Sequence, residues 1–448
     1  EDLKMTIEQD FLNAAKTGDQ ETLLNILNDQ SIKIDPDHAD EEGDTALIDA
    51  AENGHSDIVR ALLTDPRVDP NHSNPRGNTA LIIAARNGHG DIVSALLADE
   101  RVDPNHADKY GYTALIDAAE NGHGDIVSAL LADKSVNPNH ADHSGNTALM
   151  WSANEGHTAI VNIFLADERI DPNHENNRGE TDLMWAAEEG HSDIVCALLA
   201  DTRIDPNHAD EYGNTALIKA AQNGQSDIAR ALLVDQRVDP NHADEYGYTA
   251  LIEAVGEGHS NIVSTLLADE RVDPNHANHW GGTALTLAAA KGHSEIVSML
   301  LANPRINLSH ADQAKKAIVE AAKNKHDKTL RLLLKCSGQR LSDDEIDNLA
   351  DSDRDFYKRI LTQFWLTRFR GIVRAIIIFR RMRLRAAEVV YALDGTGYAV
   401  AADSFASAAS QQSSSSGTLT STETNDITAG ITQTTDEPSE PPTKRQRA

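Results

Sequence analysis

The chain has 448 residues, with 40 Lys and Arg against 71 Asp and Glu, which gives a formal net charge of −31. This acidity argues against nucleic-acid binding by the body of the protein, because phosphate recognition needs a concentrated positive surface. Two cysteines are too few for a disulfide scaffold, and no apolar run approaches the roughly 18 residues that a membrane-spanning helix requires.

The first 42 residues contain an incomplete copy of a pattern that recurs along the chain. Phe11, the pair Ala14 and Ala15, and Gly18 have the spacing of a short apolar helix that ends at a glycine. Since no Thr-Ala-Leu opens this copy, residues 1–42 are predicted to form an N-terminal cap of the kind that a stack of repeats needs for solubility.

A repeat of 34 residues fills the next part of the chain. Its first motif is Thr-Ala-Leu, with one Thr-Asp-Leu in the series, and it begins at Thr45, Thr79, Thr113, Thr147, Thr181, Thr215, Thr249 and Thr283. A threonine here predicts a helix N-cap, because its hydroxyl can accept a hydrogen bond from a backbone N–H of the first turn. A glycine such as Gly122 predicts the left-handed residue that ends this first helix.

A second helix is predicted in every repeat. Its caps are predicted at equivalent positions, namely Ser56, Gly90, Gly124, Thr158, Ser192, Ser226, Ser260 and Ser294. In one unit, Ile126, Val127, Leu130 and Leu131 form the apolar stripe of this helix. Because one helix pair cannot bury its apolar face alone, the units are predicted to stack side by side.

The motifs Thr-Ala-Leu, Ala-Ala, Gly-His, Ile-Val and Leu-Leu at this spacing resemble the ankyrin repeat, over about residues 10–335. The resemblance implies an all-α repeat solenoid, an ankyrin array of about ten helix pairs with hairpin-like connections, called fingers below. Full repeats are expected at about 43–310 and a C-terminal cap at 311–338, so that the array covers residues 1–338. The period departs from the family value of about 33, and Thr-Ala-Leu replaces the family's Thr-Pro-Leu-His opening.

Aromatic side chains mark the positions at which the near-identical units differ. Trp151 and Trp185 follow their threonines by four residues, where the resemblance implies the concave face of the first helix. Six more aromatic residues lie just before a Thr-Ala-Leu, in the predicted fingers: Tyr110, Tyr112, Tyr212, Tyr246, Tyr248 and Trp280. Large aromatic residues often anchor protein interfaces, although tyrosines at finger tips could instead shield neighbouring fingers.

Acidic residues accompany these aromatic positions. Those assigned to the predicted binding surface are Asp117, Glu155, Glu188 and Glu189. An acidic groove with aromatic anchors favours a basic protein or peptide, through electrostatic steering and cation–π contacts. The resemblance also implies methylated lysine as one candidate ligand between Trp151 and Trp185. A solvated acidic face that only keeps the protein soluble is the alternative.

Catalytic and metal sites are not predicted. The 19 histidines recur mainly at equivalent positions of the units. Layers about 8–10 Å apart cannot bring them to one zinc ion, whose ligand nitrogens lie about 2.0–2.1 Å from the metal. No phosphate loop, nucleophile elbow or dinucleotide motif occurs. We therefore expect no enzyme activity, no cofactor and no metal.

Residues 339–400 are predicted to form a basic amphipathic helical extension. Ser342 and Glu345 form a capping box, and the stretch 356–385 holds nine basic residues and no acidic one. One face of this helix is predicted to carry Arg370, Arg374, Arg381 and Arg385. Three hypotheses stay open: the extension packs against the final repeat, it binds an anionic membrane surface or a partner groove, or it folds back onto the acidic array as a self-ligand.

Residues 401–448 are rich in Ser and Thr and poor in apolar residues, and they are predicted to be disordered. Lys444, Arg445 and Arg447 follow two prolines and resemble a short nuclear-import signal. The tail is also similar to the type IV secretion signals of effectors from intracellular bacteria. A cytoplasmic or nuclear location is therefore expected, in the host cell if the protein is a secreted effector.

Two functional hypotheses follow from these patterns. The preferred one is a non-catalytic, monomeric protein–protein interaction scaffold that binds a basic partner across its concave and finger surfaces and does not bind nucleic acid through the array. In its narrower form, the scaffold is an effector that acts on host proteins. The alternative is a membrane-peripheral adaptor that uses the helix 356–385, with the repeats as a spacer.

Overall fold

Ten helix pairs follow one another in the computed structural model, which describes residues 2–29, 34–307 and 311–393. The first five pairs are α1 (Asp2–Thr17) and α2 (Gln20–Asn28), α3 (Ala46–Glu52) and α4 (Ser56–Leu63), α5 (Ala80–Arg86) and α6 (Gly90–Leu97), α7 (Ala114–Glu120) and α8 (Gly124–Ala132), and α9 (Ala148–Asn154) and α10 (Thr158–Leu165). The next five are α11 (Asp182–Glu189) and α12 (Ser192–Ala200), α13 (Ala216–Gln222) and α14 (Ser226–Val234), α15 (Ala250–Glu257) and α16 (Ser260–Ala268), α17 (Ala284–Lys291) and α18 (Ser294–Ala302), and α19 (Ala311–Lys323) and α20 (Asp327–Cys336). The predicted all-α repeat solenoid is confirmed.

The first helix of each full repeat starts where the sequence predicts. In seven of the eight repeats the threonine hydroxyl accepts the backbone N–H three residues later, as Thr113 does from Ile116 at 3.4 Å. The finger that leads into the helix closes as a narrow hairpin, with an isolated antiparallel bridge between Ala107 and Thr113. Thr113 therefore both closes the finger, through its bridge to Ala107, and begins the first helix as its N-cap.

The predicted caps of the second helix are wrong by one position. The residues predicted as caps are the first helical residues, and the N-caps are the preceding His55, His89, His123, His157, His191, Gln225, His259 and His293. None of these side chains caps its own helix. His157 shows where the ring goes instead: its Nε2 lies 2.9 Å from the carbonyl oxygen of Glu120, in the preceding repeat.

A glycine in each repeat makes room for this side chain, which is a histidine in every full repeat except the one with Gln225. Gly122 has φ of +80°, and a Cβ added to it would lie 2.8 Å from Cε1 of His157. Six histidines of the connections make a second series of inter-repeat bonds, as His140 does with the carbonyl oxygen of Gly111 at 3.1 Å. The regular spacing of these histidines therefore reflects the stacking of the units.

Asparagine residues join the connections into a continuous ladder. Asn105 donates through Nδ2 to the carbonyl oxygen of Ser135 at 2.8 Å and accepts from the backbone N–H of Asn137 at 2.7 Å, both in the next repeat. Arginines of the same connections reach backward, since Arg101 donates to the carbonyl oxygens of Val68 and Leu63 at 2.8 and 3.0 Å. Polar backbone groups at the edge of each unit are thus satisfied by its neighbour.

The described chain divides into two compact units after residue 362. In the first unit the apolar core continues past α20, because Leu341, Ile346 and Tyr357 are buried there and the Tyr357 hydroxyl accepts the backbone N–H of Leu341 at 3.1 Å. Helix α21 (Asp343–Asp347) begins at the capping box predicted at Ser342. The domain boundaries predicted at residues 338 and 400 stay predictions.

The second unit contains the residues of α22 (Asp351–Leu393) that follow position 362. Among the described residues, no helix is both long enough and apolar enough to cross a membrane. The predicted disordered tail, 401–448, lies outside the described residues.

Candidate interaction surface

Three aromatic rings from consecutive repeats lie against one another on the array. Trp151 lies 5.7 Å from Tyr112 and 5.5 Å from Trp185 between ring centroids, and the two indoles meet edge to face. All three side chains are partly buried. We call Tyr112, Trp151 and Trp185 the Trp-pair cluster. The sequence predicted Trp151 and Trp185 as a pair in adjacent repeats and Tyr112 separately, in a finger, and the stacking of the units brings the three rings together.

Carboxylates at the base of the fingers fix the orientation of both indoles. The Nε1–H of Trp151 donates to Asp142 at 3.0 Å, and that of Trp185 donates to Glu180 at 3.1 Å. Asp142 is itself held in place, because its other oxygen accepts the backbone N–H groups of Ser144 and Asn146. The rings of the Trp-pair cluster are therefore presented in a defined arrangement.

Two of the carboxylates beneath the cluster are neutralised by ion pairs. Asp117 is buried and accepts both Nε and Nη2 of Arg86, at 2.9 and 3.1 Å. Burial raises the pKa of Asp117, and the hydrogen bonds from Arg86 offset only part of this effect. Glu180 pairs with Lys219 at 3.3 Å. Asp117, predicted as a contact residue, therefore supports the groove from beneath.

Glu120 is a different case. Its carboxylate is partly buried and has no ion pair or side-chain hydrogen bond within the described part of the chain. Burial raises the pKa of Glu120, and the nearby charges of Asp117 and Glu155 raise it further, while the charge of Arg86 offsets part of this effect. Burial and the same negative field, with Glu120 as the largest charge contribution, raise the pKa of the Tyr112 phenol. An unpaired carboxylate thus lies in the groove beside the aromatic rings.

The other predicted acidic residues lie at the edge of this groove. Glu155 is exposed and accepts a hydrogen bond from the side-chain amide of Asn154 at 2.9 Å. Glu188 pairs with Lys219 at 3.2 Å, while Glu189 is exposed. Of the acidic positions that the sequence assigned to this surface, Glu155 and Glu189 therefore have the most accessible charges.

The finger side of the groove is basic, which sequence analysis missed. The groove has a volume of about 1020 Å³ and is open to solvent. Arg76, Lys109 and Arg178 lie on its finger side and are exposed, and Lys109 Nζ lies 4.9 Å from the ring centroid of the predicted contact Tyr110. The sequence does indicate this basic side, because Arg76 and Arg178 occupy in their own repeats the finger position that Tyr110 occupies in its repeat.

The remaining predicted aromatic residues form a second, separate group. Trp280 lies 6.0 Å from Tyr246, with the rings stacked at 16°, and 6.0 Å from Tyr248. Trp280 and Tyr246 are 69% and 48% exposed. Tyr212 is also exposed and occupies the equivalent finger position one repeat before Tyr246. The structure thus places the predicted aromatic residues in two groups. One is the Trp-pair cluster, and we call the other, Tyr246, Tyr248 and Trp280, the C-terminal aromatic group.

The predicted basic helix lies in α22. Arg370 and Arg374 are exposed, and so are apolar side chains of the same segment, among them Ile372, Ile376 and Phe379. Arg381 and Arg385 belong to α22, but their side chains are outside the described residues, as are Lys444, Arg445 and Arg447 altogether. The described residues contain no group of three or more His, Cys, Asp or Glu placed to hold a metal ion.

Comparison with protein-family models identifies the repeat. The model described as ankyrin repeats in three copies matches residues 66–142, 134–210, 183–278 and 267–344, and the model described as ankyrin repeats in many copies matches residues 27–84. The matched segments cover well over half of the chain. No curated protein matches it.

Proposed function

The chain belongs to the ankyrin-repeat family, and from this premise we propose that it is a non-catalytic scaffold that binds a basic protein or peptide at the Trp-pair cluster. Ankyrin repeats are general protein–protein interaction modules. Because a repeat fold does not define its ligand, the choice of partner depends on the side chains that differ between repeats. Here these are the rings of Tyr112, Trp151 and Trp185 and the charges around them.

The observation that supports a basic partner is the unpaired carboxylate of Glu120 in the groove that Trp151 and Trp185 line. Arg86 neutralises Asp117 and Lys219 neutralises Glu180, whereas Glu120 has neither an ion pair nor a side-chain hydrogen bond among the described residues. An arginine or lysine side chain of a partner supplies that cation and can stack on an aromatic face at the same time. The exposed Arg76, Lys109 and Arg178 disfavour a basic segment on the finger side, so they orient the partner toward the helices.

A pair of matched carboxylates tests this proposal. Glu52 occupies the position in its repeat that Glu120 occupies in its own, but it is exposed and far from the rings in sequence. A fluorescently labelled Arg-rich peptide is titrated with the full chain, and binding is followed by anisotropy. We expect Glu120→Gln to weaken binding about tenfold and Glu52→Gln to have little effect. Equal effects would mean that the peptide responds only to net charge.

The double variant Trp151→Ala with Trp185→Ala tests the aromatic part of the site. We expect it to weaken capture of the same peptide while the helical circular dichroism stays unchanged, because both indoles are partly exposed and outside the buried core. Unchanged affinity in a folded double variant would remove the Trp-pair cluster from the binding site.

A second candidate function is a membrane-peripheral adaptor, supported by the exposed side chains of α22. Between residues 365 and 382 this helix exposes Trp365, Ile372, Ile376 and Phe379, together with Arg370 and Arg374. Apolar side chains with arginines on a neighbouring face are typical of helices that lie on anionic membranes. The full chain should co-sediment with phosphatidylserine vesicles but not with neutral ones, and Arg370→Glu with Arg374→Glu should abolish this. No sedimentation with either vesicle excludes the adaptor.

A narrower proposal concerns where the scaffold acts. The tail motifs favour a secreted effector that acts in the cytoplasm or nucleus of a host cell, and the chain is proposed to act as a monomer. An enzymatic reporter fused to the full chain should reach the host cell only from a strain with an active type IV system.

Replacing Lys444, Arg445 and Arg447 by alanine should reduce nuclear accumulation of the chain. Analytical ultracentrifugation of the wild type should give the mass of one chain.

A further inference from the structure

The C-terminal aromatic group lies at a second groove, in which lysines outnumber acidic residues. Trp280 and Tyr248 line a groove of about 670 Å³ whose other wall includes Leu287 and Val319. The lining also includes three lysines, Lys315, Lys316 and Lys323, and two glutamates, Glu320 and Glu345. The Trp-pair cluster instead lies beside an unpaired carboxylate. The two grooves of one array are therefore suited to different ligands.

The lysines of this groove keep hydrogen-bonding capacity. Lys315 pairs with Glu345 at 3.2 Å and Lys323 pairs with Glu320 at 2.9 Å. An ammonium group has three donors, and each of these ion pairs engages one. Lys316 is exposed and has no ion pair with any described residue. A ligand that brings carboxylates can therefore bind here without displacing an existing pair.

The free ammonium of Lys316 lies near Gly281, the residue that follows Trp280. Gly281 follows Trp280 with φ of +71°, and the nearest heavy atom to a Cβ built on it is Nζ of Lys316, at 3.8 Å. The indole is 69% exposed, and its partner in stacking is Tyr246 of the neighbouring repeat. A flat apolar surface and a free cation thus line the same groove.

We propose that this groove binds an acidic peptide segment of a partner protein, with a large apolar side chain packed between Trp280 and Leu287 and a carboxylate on Lys316. The net negative charge of the array does not prevent this. At physiological ionic strength the screening length is about 8 Å, so carboxylates several repeats away act weakly on a ligand at Lys316. Because the site uses none of the residues of the Trp-pair cluster, it goes beyond the function proposed above.

The test uses the full chain and three labelled peptides with the same leucines, in which the intervening residues are all Glu, all Gln or all Lys. Fluorescence anisotropy should show the Glu peptide binding about tenfold more tightly than the Gln peptide, since each carboxylate gains a charge-assisted hydrogen bond. Lys316→Glu and Trp280→Ala should each weaken the Glu peptide about tenfold. The double Trp151 and Trp185 variant should bind the Glu peptide as the wild type does.

Lys134→Glu is the matched control, because it makes the same charge change at an exposed lysine of another repeat. If Lys316→Glu and Lys134→Glu weaken binding equally, or if the Gln peptide binds as tightly as the Glu peptide, the proposal is overturned. Loss of Glu-peptide binding in the double Trp variant would also overturn it, because the two grooves would then not be independent.

Discussion

The carboxylate of Asp182 accepts the backbone N–H of Leu183 at 2.8 Å through one oxygen, while its other oxygen is buried and has no partner among the described residues. Asp182 occupies the position at which the other full repeats have a buried alanine, and it is only 2% exposed. The neighbouring Thr181 is also the one threonine of the series that does not cap its helix. The first helix of this repeat therefore begins without the threonine cap and with a buried carboxylate oxygen that has no described partner.

Replacing Asp182 by alanine should stabilise the array. The variant restores the residue that the other repeats have and removes a buried oxygen without a partner, which should add about 1–3 kcal/mol to the free energy of unfolding at neutral pH. Urea denaturation followed by circular dichroism measures the change. A loss of stability would mean that the carboxylate has a partner that the fold requires.

The same carboxylate should make stability depend on pH. Burial raises the pKa of Asp182 to about 7, whereas an exposed aspartate titrates near roughly 3.9. Between these values the folded chain holds a proton that the unfolded chain has lost, so this group lowers the free energy of unfolding as pH rises from about 4 to 7. This decrease in the free energy of unfolding with pH should vanish in Asp182→Asn, because the asparagine side chain has the same shape as aspartate but does not titrate. An identical slope in the variant would assign the effect to other groups.

Two neighbouring glycines should respond to alanine in opposite ways. Gly122→Ala should cost at least about 1–2 kcal/mol, because φ is +80° and the new Cβ would displace His157 from its bond to Glu120. Gly124 is the first residue of α8, and a Cβ there meets Ile160 at an ordinary 3.6 Å. Gly124→Ala should therefore stabilise by about 0.4–1 kcal/mol. Thermal midpoints of the two variants decide this, and equal destabilisation would contradict the assignment of the left-handed position.

The fold was largely predictable because its signals are local and repeated. Thr113 caps a helix through a bond to a residue three positions away, and Gly122 ends that helix through its own φ. The bond made by the histidine that precedes the second helix was not predicted, for the opposite reason. His157 bonds to Glu120, 37 residues earlier, and no pattern within one repeat indicates that contact.

The charge of the groove was less predictable, since it depends on pairs between repeats. The sequence places Asp117 on the acidic surface, but Arg86, 31 residues before it, neutralises that carboxylate. Glu120 has the same charge and lies three residues further on, yet it forms no ion pair with any described cation, and Arg86 acts on it only through its charge. Counting charges along the chain cannot distinguish these two acids, because the distinction lies in which side chains of the adjacent repeat are long enough to reach them.

The asparagine ladder begins with an aspartate, Asp37, and replacing it by asparagine should raise the free energy of unfolding. Asp37 accepts the backbone N–H of Asp69 at 3.0 Å, as the asparagines do from the next repeat, but it lacks their amide donor. Burial raises the pKa of Asp37, and the hydrogen bond from Asp69 offsets part of this effect. Asp37→Asn should supply the donor and remove a partly buried charge, for a gain of about 0.5–1.5 kcal/mol. Asn105→Asp should produce the reverse change, and urea midpoints that move in the same direction for both variants would contradict the ladder.

Lys219 should have opposite effects on stability and on binding. It lies within 3.3 Å of Glu180, 3.2 Å of Glu188 and 3.5 Å of Asp210. Lys219→Met leaves the buried carboxylates of Glu180 and Asp210 without this cation, so the free energy of unfolding should fall by about 1–3 kcal/mol. The same change exposes negative charge next to Trp185, so the Arg-rich peptide should bind more tightly.

The pH dependence distinguishes this effect from a packing defect. Burial by itself would raise the pKa of Glu180, but hydrogen bonds from Asn176 and Trp185 and the charge of Lys219 lower it overall. This group therefore adds stability above roughly pH 4.3, its unfolded pKa, and that stability is lost as pH falls through the lower folded pKa. The difference between wild type and Lys219→Met should narrow on acidification, and Lys219→Arg should resemble the wild type. A constant difference from neutral to acidic pH, or tighter peptide binding by Lys219→Arg as well, would show that charge at this position does not govern the groove.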